Sequence, residues 1–586
     1  MNFFRNSLTR WSATALTGLA VVGMVAVGCG EDFLDVPPTG SLNEQVLATE
    51  AGVEGLLIGS YAMLLGRGNW FGGVSNWASG SIRGGEANKG TDAGDFTDIN
   101  VIQRYETDPT SRVPADHWTA LFEGVSRTNS TISVLRQTVE AGNLNADDAQ
   151  RIEGEARFLR GLYYFMLKIN FNSVPFFDET VGFEDIVATM NTPEVWGNIE
   201  ADLDFATKNL PEVQTAAGRV NKWAAMAQLA KVQLYQGKWA DARDNFEDVI
   251  ANGVTASGEA YGLLDDYMHV FNAEFDNSKE SVFAVQAAAN TGSVNNANPE
   301  FALNFPYNTG PDGPGNCCGF FQPSFDQANS FRVDDDGLPF LNFEYREDAN
   351  ELETDFGLEG ADDFTVDTKA VDPRLDFSVG RRGIPYLDWG LFPGKPWIRD
   401  QAFAGPYSPK KYIYYRAQEG TLTDGSSWTR GYTAMNYNVI RFADVLLMAA
   451  EANAQTNNLD RATELVNMVR MRAANMDAWI RLDDGSLAAN YQIGMYDDFG
   501  STDAALDAIY MERRLELSGE GYRFYDLVRW GIAADFINSY LDYESEFLPN
   551  ALGGAEFRSG QDEYYPIPQS QIDLQGADVL KQNPGY

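Results

Sequence analysis

Two distant stretches of the 586-residue chain carry the same helix-turn-helix pattern, and this pattern limits the fold more than any other feature. In residues 227–250, AQLAKVQLYQGKWADARDNFEDVI, the small side chain of Ala230 lets two helices approach and Gly237 supplies a turn. In residues 447–469, Asn457 takes the place of that glycine. Each stretch therefore predicts two antiparallel helices. The facing positions are Ala242, Phe246 and Val249 in the first stretch and Ala450, Ala462, Val466 and Val469 in the second.

Helix pairs of this kind are typical of tetratricopeptide repeats, in which each pair buries its apolar face against its neighbours. Two pairs are too few for a stable array, so we expect more degenerate pairs at residues 46–65 with 118–139 and at residues 150–171 with 193–210. The sequence thus predicts a mostly α-helical protein. Its scaffold of about four tetratricopeptide-like helix pairs would span residues 40–252 and 438–540.

The middle of the chain has a different texture. Residues 290–435 are rich in Gly, Pro, Asn and aromatic side chains, which indicates an irregular, loop-rich lobe. After the second helical region, residues 541–586 contain repeated prolines in YPIP and QNPGY. Because proline removes a backbone donor and favours polyproline geometry, we expect an extended tail that docks on the fold.

The N-terminus is typical of a lipoprotein signal peptide. Arg5 and Arg10 precede a short apolar run at residues 13–27, and small residues lead into Cys29. We therefore predict that residues 1–28 are removed and that Cys29 is lipidated, which would hold the protein on a membrane without a spanning helix. An ordinary cleaved signal, or a retained anchor with an incidental cysteine, is the alternative.

The remaining two of the three cysteines are adjacent, at Cys317 and Cys318. In an exported protein they could form a vicinal disulfide that locks a tight turn, or remain as two buried thiols.

The charge balance excludes nucleic acid as a class of partner. With 84 Asp and Glu against 43 Lys and Arg, the formal net charge is −41, so nucleic acid would be repelled over most of the surface.

An enzyme would need catalytic groups that the sequence does not supply. The two histidines, His117 and His269, have no nucleophile-elbow sequence to serve, and no phosphate-binding glycine loop or Cys/His metal spacing is present. With 84 acidic residues, some carboxylate pair at a hydrolytic separation is inevitable and carries no information. We therefore predict a protein that is not an enzyme and has neither a cofactor nor a metal.

Binding of a neutral ligand needs only flat aromatic faces with polar groups beside them. Aromatic residues in glycine-rich or polar loops are the best candidates, because tryptophans within helical patterns are more commonly part of a core. The predicted ligand-binding candidates are Trp70, Phe71, Trp77, Tyr307, Trp389, Trp397, Trp428 and Tyr432.

Nine stretches, in order along the chain, resemble the SusD/RagB family of outer-membrane nutrient-uptake lipoproteins. They are CGEDFLDVPPTGSL at Cys29, EARFLRGLYYFMLKINFNSVPF at 155–176, RVNKWAAMAQLAKVQLYQGKW at 219–239, NSKESVFAVQ at 277–286, DPRLDF at 372–377, VIRFADVLLMAAEANAQ at 439–455, ERRLELSGEGYRFYDLVRWG at 512–531, and the closing YYPIPQSQIDL and LKQNPGY.

The resemblance implies one SusD-like domain over residues 29–586, with a helical scaffold and a ligand-binding loop lobe. It also implies a lipid-anchored protein on the outer face of the outer membrane, addressed there by Glu31 and Asp32. Such a protein binds an oligosaccharide or other nutrient and delivers it to a TonB-dependent, SusC-like barrel. A helical-repeat surface scaffold without a small ligand is the main alternative, and a secreted glycan hydrolase is another. Charged residues in the C-terminal motifs, Glu512, Arg513, Arg514 and Glu516, together with Arg441 and Asp444, are interpreted as structural.

Overall fold

A computed structural model describes residues 47–68 and 70–586 of the protein. The predicted signal peptide at residues 1–28, the predicted lipidation site Cys29 and the adjacent acids Glu31 and Asp32 lie outside the described residues. Asn69, next to the candidate Trp70, lies outside them as well.

The described part of the chain is mostly helical, as the sequence predicts. Its longer α-helices are α1 (Glu50–Tyr61), α2 (Arg112–Glu140), α3 (Ala146–Phe171), α4 (Trp196–Asn209), α5 (Lys222–Tyr235), α6 (Trp239–Asn252), α7 (Phe442–Gln455), α8 (Leu459–Ala473), α9 (Thr502–Glu516), α10 (Arg523–Arg529), α11 (Ala533–Phe547) and α12 (Gln569–Gln575). No helix within these described segments is both long and apolar enough to cross a membrane.

The helices form the four expected pairs. Helix α1 packs on α2, α3 on α4, α5 on α6 and α7 on α8. Helix α6 also packs on α7, so the array is continuous although the loop-rich lobe separates α6 from α7 in sequence. Gly237 and Asn457 both adopt positive φ angles, of 71° and 60°, at the turns of the last two pairs. Asparagine tolerates this left-handed conformation better than most residues, which explains why it replaces glycine. All seven facing side chains predicted for these two hairpins are fully buried.

Buried ion pairs join the last helices to the rest of the fold. Arg441 Nη1 lies 2.7 Å from Glu516 Oε1, and its Nε lies 2.7 Å from Glu520 Oε2. Although burial acts to raise the pKa of Glu516, Arg472, Arg441 and Arg374 hold that pKa at about 2. A second group pairs Arg513 with Asp444 at 2.7 Å. Arg514 pairs with Asp326 at 2.6 Å and Glu512 with Arg374 at 3.0 Å, so these motif residues all lie in buried ion pairs, in agreement with their structural interpretation.

The loop-rich lobe has little regular structure. Its antiparallel strand pairs are β1 (Ala87–Gly90) with β3 (Phe320–Pro323), β2 (Ser281–Val285) with β6 (Tyr437–Arg441), and β4 (Val379–Gly380) with β5 (Ser408–Pro409). Short helices at Phe325–Asn329, Arg374–Ser378 and Gln401–Ala404 complete it.

Two predicted boundaries differ in the structure. Residues 62–111, assigned to the scaffold from sequence, form a largely irregular insertion between α1 and α2 that joins the lobe, because Gly90 on β1 pairs with Phe320 on β3. Residues 541–547 belong to helix α11, so the C-terminal tail is extended only beyond it and is interrupted by a short helix at Pro549–Leu552 and by α12. The tail docks on α3 through backbone contacts, since Tyr565 N donates to Asn170 O at 2.8 Å.

Candidate functional site

Two aromatic residues that are far apart in sequence meet on the lobe. The rings of Trp70 and Trp428 lie edge to face with centroids 6.5 Å apart, and Phe96 lies 5.1 Å from Trp70 on another side. Trp428 is 54% exposed, and Trp70 and Phe96 are each half-buried. We call these three residues the aromatic face. Exposed aromatic rings of this kind offer flat apolar surfaces that a folded chain ordinarily buries.

The loop that carries Trp70 is fixed from below by buried polar groups. The indole of Trp77 donates through Nε1 to the carbonyl of Trp70 at 2.8 Å. Glu300 accepts from the amides of Gly73 and Ser75, both at 3.1 Å. His117 bonds through Nδ1 to the carbonyl of Phe71 at 3.1 Å. Trp70 is therefore held by its backbone, while its ring stays at the surface.

The loop that carries Phe96 closes around a lysine ammonium. Lys89 Nζ donates to the carbonyls of Asp92 and Asp95 at 2.8 and 2.6 Å, and burial lowers the pKa of Lys89 to about 8. From outside, Arg399 pairs with the carboxylates of the same two residues at 2.7 and 2.5 Å. These contacts fix the turn at which Phe96 adopts a φ of 44° and presents its ring to Trp70.

The cysteine turn lies between the loops of this site. The structure joins Cys317 and Cys318 in a disulfide, the first of the two alternatives left open by the sequence. The turn bonds to the loop of Phe96 through Thr91 N and Gly319 O, at 2.5 Å, and to the loop of Trp428 through Thr429 Oγ1 and Gly315 O, at 3.2 Å. Cys317 is half-buried, so part of the disulfide borders the surface.

Tyr307 lies on the other side of this turn. Its ring is half-buried, and the guanidinium of Arg399 stands 5.1 Å from the ring centroid. The backbone amide of Tyr307 donates to the carbonyl of Trp397 at 2.9 Å, which brings two predicted candidates together. Trp397 itself is half-buried and packs edge-on against Tyr386 and Phe392.

A polar rim borders the aromatic face. Residues 290–296 are almost all exposed and carry three asparagine side chains, and Asn295 lies against Gly68, two residues before Trp70. A Cβ atom on Gly68 would stand 3.0 Å from Asn295 Oδ1, so glycine permits this close approach. The rim therefore offers amide donors and acceptors beside the exposed rings.

Four of the predicted ligand-binding residues have rings that this structure buries. Trp77 and Phe71 are 1% and 4% exposed and pack in the main core, where Trp77 meets Phe321 with a centroid distance of 5.8 Å. Trp389 and Tyr432 are each 6% exposed. Trp389 belongs to a small core within the lobe and donates through Nε1 to Tyr414 O at 3.0 Å. Tyr432 supports Trp428 from below, with centroids 6.3 Å apart.

Phe96 was missed by the sequence analysis. The signal was available, since a single aromatic residue stands in the polar stretch TDAGDFTDIN, where no apolar periodicity would bury it.

A separate cleft of about 430 Å³ lies between the end of α1 and strand β2. Its walls include Ile58, Leu65, Ala284 and Ala288 and are predominantly apolar. Sugar hydroxyls would find few partners there. The aromatic face, with its amide rim, matches a hydroxylated ligand better than this cleft does.

Comparison with known proteins identifies the family. A model described as the SusD family matches residues 279–586, and a model described as "Starch-binding associating with outer membrane" matches residues 32–234. SusD-like protein P2 of Formosa agariphila is 25% identical over 576 residues, covering 97% of this chain and 98% of the relative. SusD-like protein P25 of the same organism is 26% identical over 441 residues, covering 73% and 72%.

The fold agrees with this assignment. The solved structure of a laminarin-binding SusD-like protein superposes with a TM-score of 0.66 at 25% sequence identity, covering 92% of this chain and all of that one. The resemblance predicted from the sequence motifs is thereby confirmed. Since the SusD family model spans more than half of the 586 residues, the chain belongs to the SusD family.

Proposed function

We propose that this protein binds a neutral oligosaccharide on the aromatic face and delivers it to a partner barrel in the outer membrane. The observation that carries the proposal is the meeting of Trp70 with Trp428, whose ring is 54% exposed. The C–H faces of sugar rings pack favourably on exposed aromatic rings, and their hydroxyls bond to amides at the rim. Trp428 would stack on one sugar unit, and Trp70 and Phe96 would contact its neighbours.

Charge supports a neutral ligand over an acidic one. The chain carries a formal net charge of −41, and the cation nearest Tyr307, Arg399, already pairs with Asp92 and Asp95. A sulfated or uronic-acid polymer would meet repulsion, and Arg399 is not free to offset it. The laminarin-binding relative makes a neutral β-glucan oligosaccharide the first probe to use.

Binding without hydrolysis is part of the proposal. A glycosidase needs one carboxylate free to protonate the leaving oxygen and a second to act as a nucleophile or base. Asp92 and Asp95, the acids beside Phe96, both pair with Arg399, and Glu300 is buried beneath the loop of Trp70. These contacts support binding without hydrolysis.

Delivery and location extend the proposal. Lipidated Cys29 would anchor the protein on the extracellular face of the outer membrane, where it would cap a SusC-like, TonB-dependent transporter. Family membership and the sequence around Cys29 support this part. Co-purification of a large barrel protein from detergent extracts tests it, and the control is the variant Cys29→Ser, which we expect to be released from membranes.

Calorimetric titration tests the binding itself. The panel comprises laminarihexaose, maltohexaose, cellohexaose, xylohexaose and mannohexaose. We expect the wild-type protein to bind at least one, and Trp428→Ala and Trp70→Ala to weaken that binding. The matched control is Met471→Ala, which removes an apolar side chain of similar exposure, 56% against 54% for Trp428, from the helical scaffold. Absence of binding to every member would favour the surface-scaffold alternative, and release of shorter sugars would favour hydrolysis.

A further inference from the structure

Glu300 is a buried carboxylate without a cationic partner among the described residues. Its side chain is 4% exposed, and its hydrogen-bond donors are backbone amides of the Trp70 loop. Oε1 accepts from Gly73 N and Oε2 accepts from Ser75 N, each at 3.1 Å. The approach is so close that a Cβ atom on Gly73 would stand 2.2 Å from Oε2. Because burying an unpaired carboxylate is costly, this arrangement needs an explanation beyond stability.

The backbone around Glu300 links the two halves of the aromatic face. Two residues earlier, Asn298 N donates to Thr433 O at 2.8 Å, and its side chain bonds to Met435 O at 3.3 Å. Thr433 follows Tyr432, the ring that supports Trp428. The segment from Asn298 to Glu300 therefore holds the loop of Trp428 at one end and the loop of Trp70 at the other.

We propose that Glu300 is the positioning residue that sets Trp70 against Trp428, and that the aromatic face binds carbohydrate more tightly when Glu300 is ionised. The inference rests on the proposed function and adds to it a residue outside the ligand contacts and a dependence on pH.

The two hydrogen bonds to Glu300 depend on its ionisation state. An ionised carboxylate accepts strongly with both oxygens, whereas protonation turns one oxygen into a hydroxyl, which is a weaker acceptor and directs a hydrogen of its own into the site. The two N–H donors of Gly73 and Ser75, one on each oxygen, therefore favour the ionised group. Burial raises the pKa of Glu300 to about 8, so its charge changes near neutral pH. A ligand that needs the fixed loop would favour the ionised form and lower this pKa, by linkage.

Two other titratable groups that face Glu300 do not change their charge near neutral pH. His117, on α2, lines the same small cavity, and burial lowers its pKa to about 4. Tyr437, on β6, has its pKa raised by burial and by neighbouring acids, including Glu300, well above 10. Lys89, with a pKa of about 8, lies under Phe96 and could add a pH effect of its own. A variant of Glu300 separates the two contributions.

Calorimetric titration from pH 6.5 to 9.5 tests the inference, with the panel sugar that the wild-type protein binds best. We expect the wild-type dissociation constant to fall at least about fivefold across this range, the lower end of typical coupling between sites. Glu300→Gln should remain at the weaker, low-pH value throughout. The control is Glu544→Gln, which replaces another buried carboxylate that accepts from two backbone amides and has a pKa of about 7. It should follow the wild type.

A double-mutant cycle identifies the residue through which Glu300 acts. In a Trp70→Ala background, which we expect to weaken but retain binding to a long oligosaccharide such as laminarin, Glu300→Gln should change the affinity little. An equal effect in both backgrounds would indicate a general structural role and overturn the inference, as would a pH dependence in Glu300→Gln as large as that of the wild type.

A second measurement does not depend on a folded variant. Wild-type titrations near pH 7.5 in two buffers of different ionisation enthalpy report proton release, which we expect on binding because the ligand favours ionised Glu300. Binding without proton release and without pH dependence would refute the inference and leave the proposed function intact. Failure of the wild type to bind any panel sugar would instead refute the proposed function, and the inference with it.

Discussion

Trp428 stands edge-on to Trp70 across a centroid distance of 6.5 Å, although 358 positions separate the two residues in the chain. The contact joins the insertion between α1 and α2 to the loop-rich lobe. Beneath it, the two loops are connected a second time, through Glu300 and Asn298. The aromatic face is thus a product of tertiary structure, and each of its parts can be tested separately.

Replacement of Trp428 by alanine should separate binding from stability. Because more than half of this side chain is exposed, we expect the free energy of unfolding to change by less than about 1 kcal/mol. Loss of an aromatic stacking surface should weaken oligosaccharide binding at least about tenfold, equivalent to about 1.4 kcal/mol. Urea unfolding and calorimetry measure the two effects. Equal affinity in Trp428→Ala and the wild type would remove this residue from the site.

Reduction of the Cys317–Cys318 disulfide should affect the site more than the fold. The closed loop spans adjacent residues, so the disulfide removes little entropy from the unfolded chain and contributes about 1 kcal/mol or less. The turn nevertheless bonds to the loops of both Phe96 and Trp428, through Thr91 and Thr429. We expect the double variant Cys317→Ser, Cys318→Ser to unfold near the wild-type urea concentration but to bind oligosaccharide several-fold more weakly. A large loss of stability with unchanged affinity would contradict this assignment.

The buried ion pairs should behave differently from exposed ones. Arg441→Met would leave Glu516 and Glu520 without their shared partner, and we expect the free energy of unfolding to fall by about 3–5 kcal/mol. Arg461→Met removes a half-exposed pair with Glu247 on the same scaffold and should cost about 1 kcal/mol or less. Chemical denaturation of the two variants side by side measures the contrast. Similar losses would show that burial does not set the strength of these pairs.

Stability should depend on pH through Glu300 with a definite sign. Burial raises the pKa of this carboxyl from 4.5 to about 8, so the folded protein holds a proton that the unfolded chain releases. The resulting stabilisation is fully present below about pH 4.5 and is lost as pH rises through about 8, by at most about 1.4 kcal/mol per pH unit. The difference in unfolding free energy between the wild type and Glu300→Gln isolates this effect. A constant difference from pH 5 to pH 9 would contradict the shift.

Local patterns predicted the scaffold well, because the helix pairs depend on spacing that is visible within about 25 residues. Ala230, Gly237 and Asn457 occupy the positions that the hairpin pattern assigns to them. The insertion at residues 62–111 was misassigned because its place in the fold depends on the pairing of β1 with β3, which are separated by more than 200 residues.

The candidate site was only partly predictable for the same reason. Trp70 and Trp77 stand in one glycine-rich loop and look alike in sequence, yet contact with Phe321 buries Trp77 while Trp70 remains at the surface. Phe96 gains its role only from its position beside Trp70. Glu300 carries no local sign of its contacts with Gly73 and Ser75, because more than 220 residues separate them.

The structure of a complex with the best-bound hexasaccharide tests the central claim most directly. The account predicts one sugar ring stacked on Trp428, further rings in contact with Trp70 or Phe96, and hydroxyls bonded to amides of residues 290–296. A sugar bound instead in the apolar cleft between Ile58 and Ala284, with the aromatic face unoccupied, would contradict it.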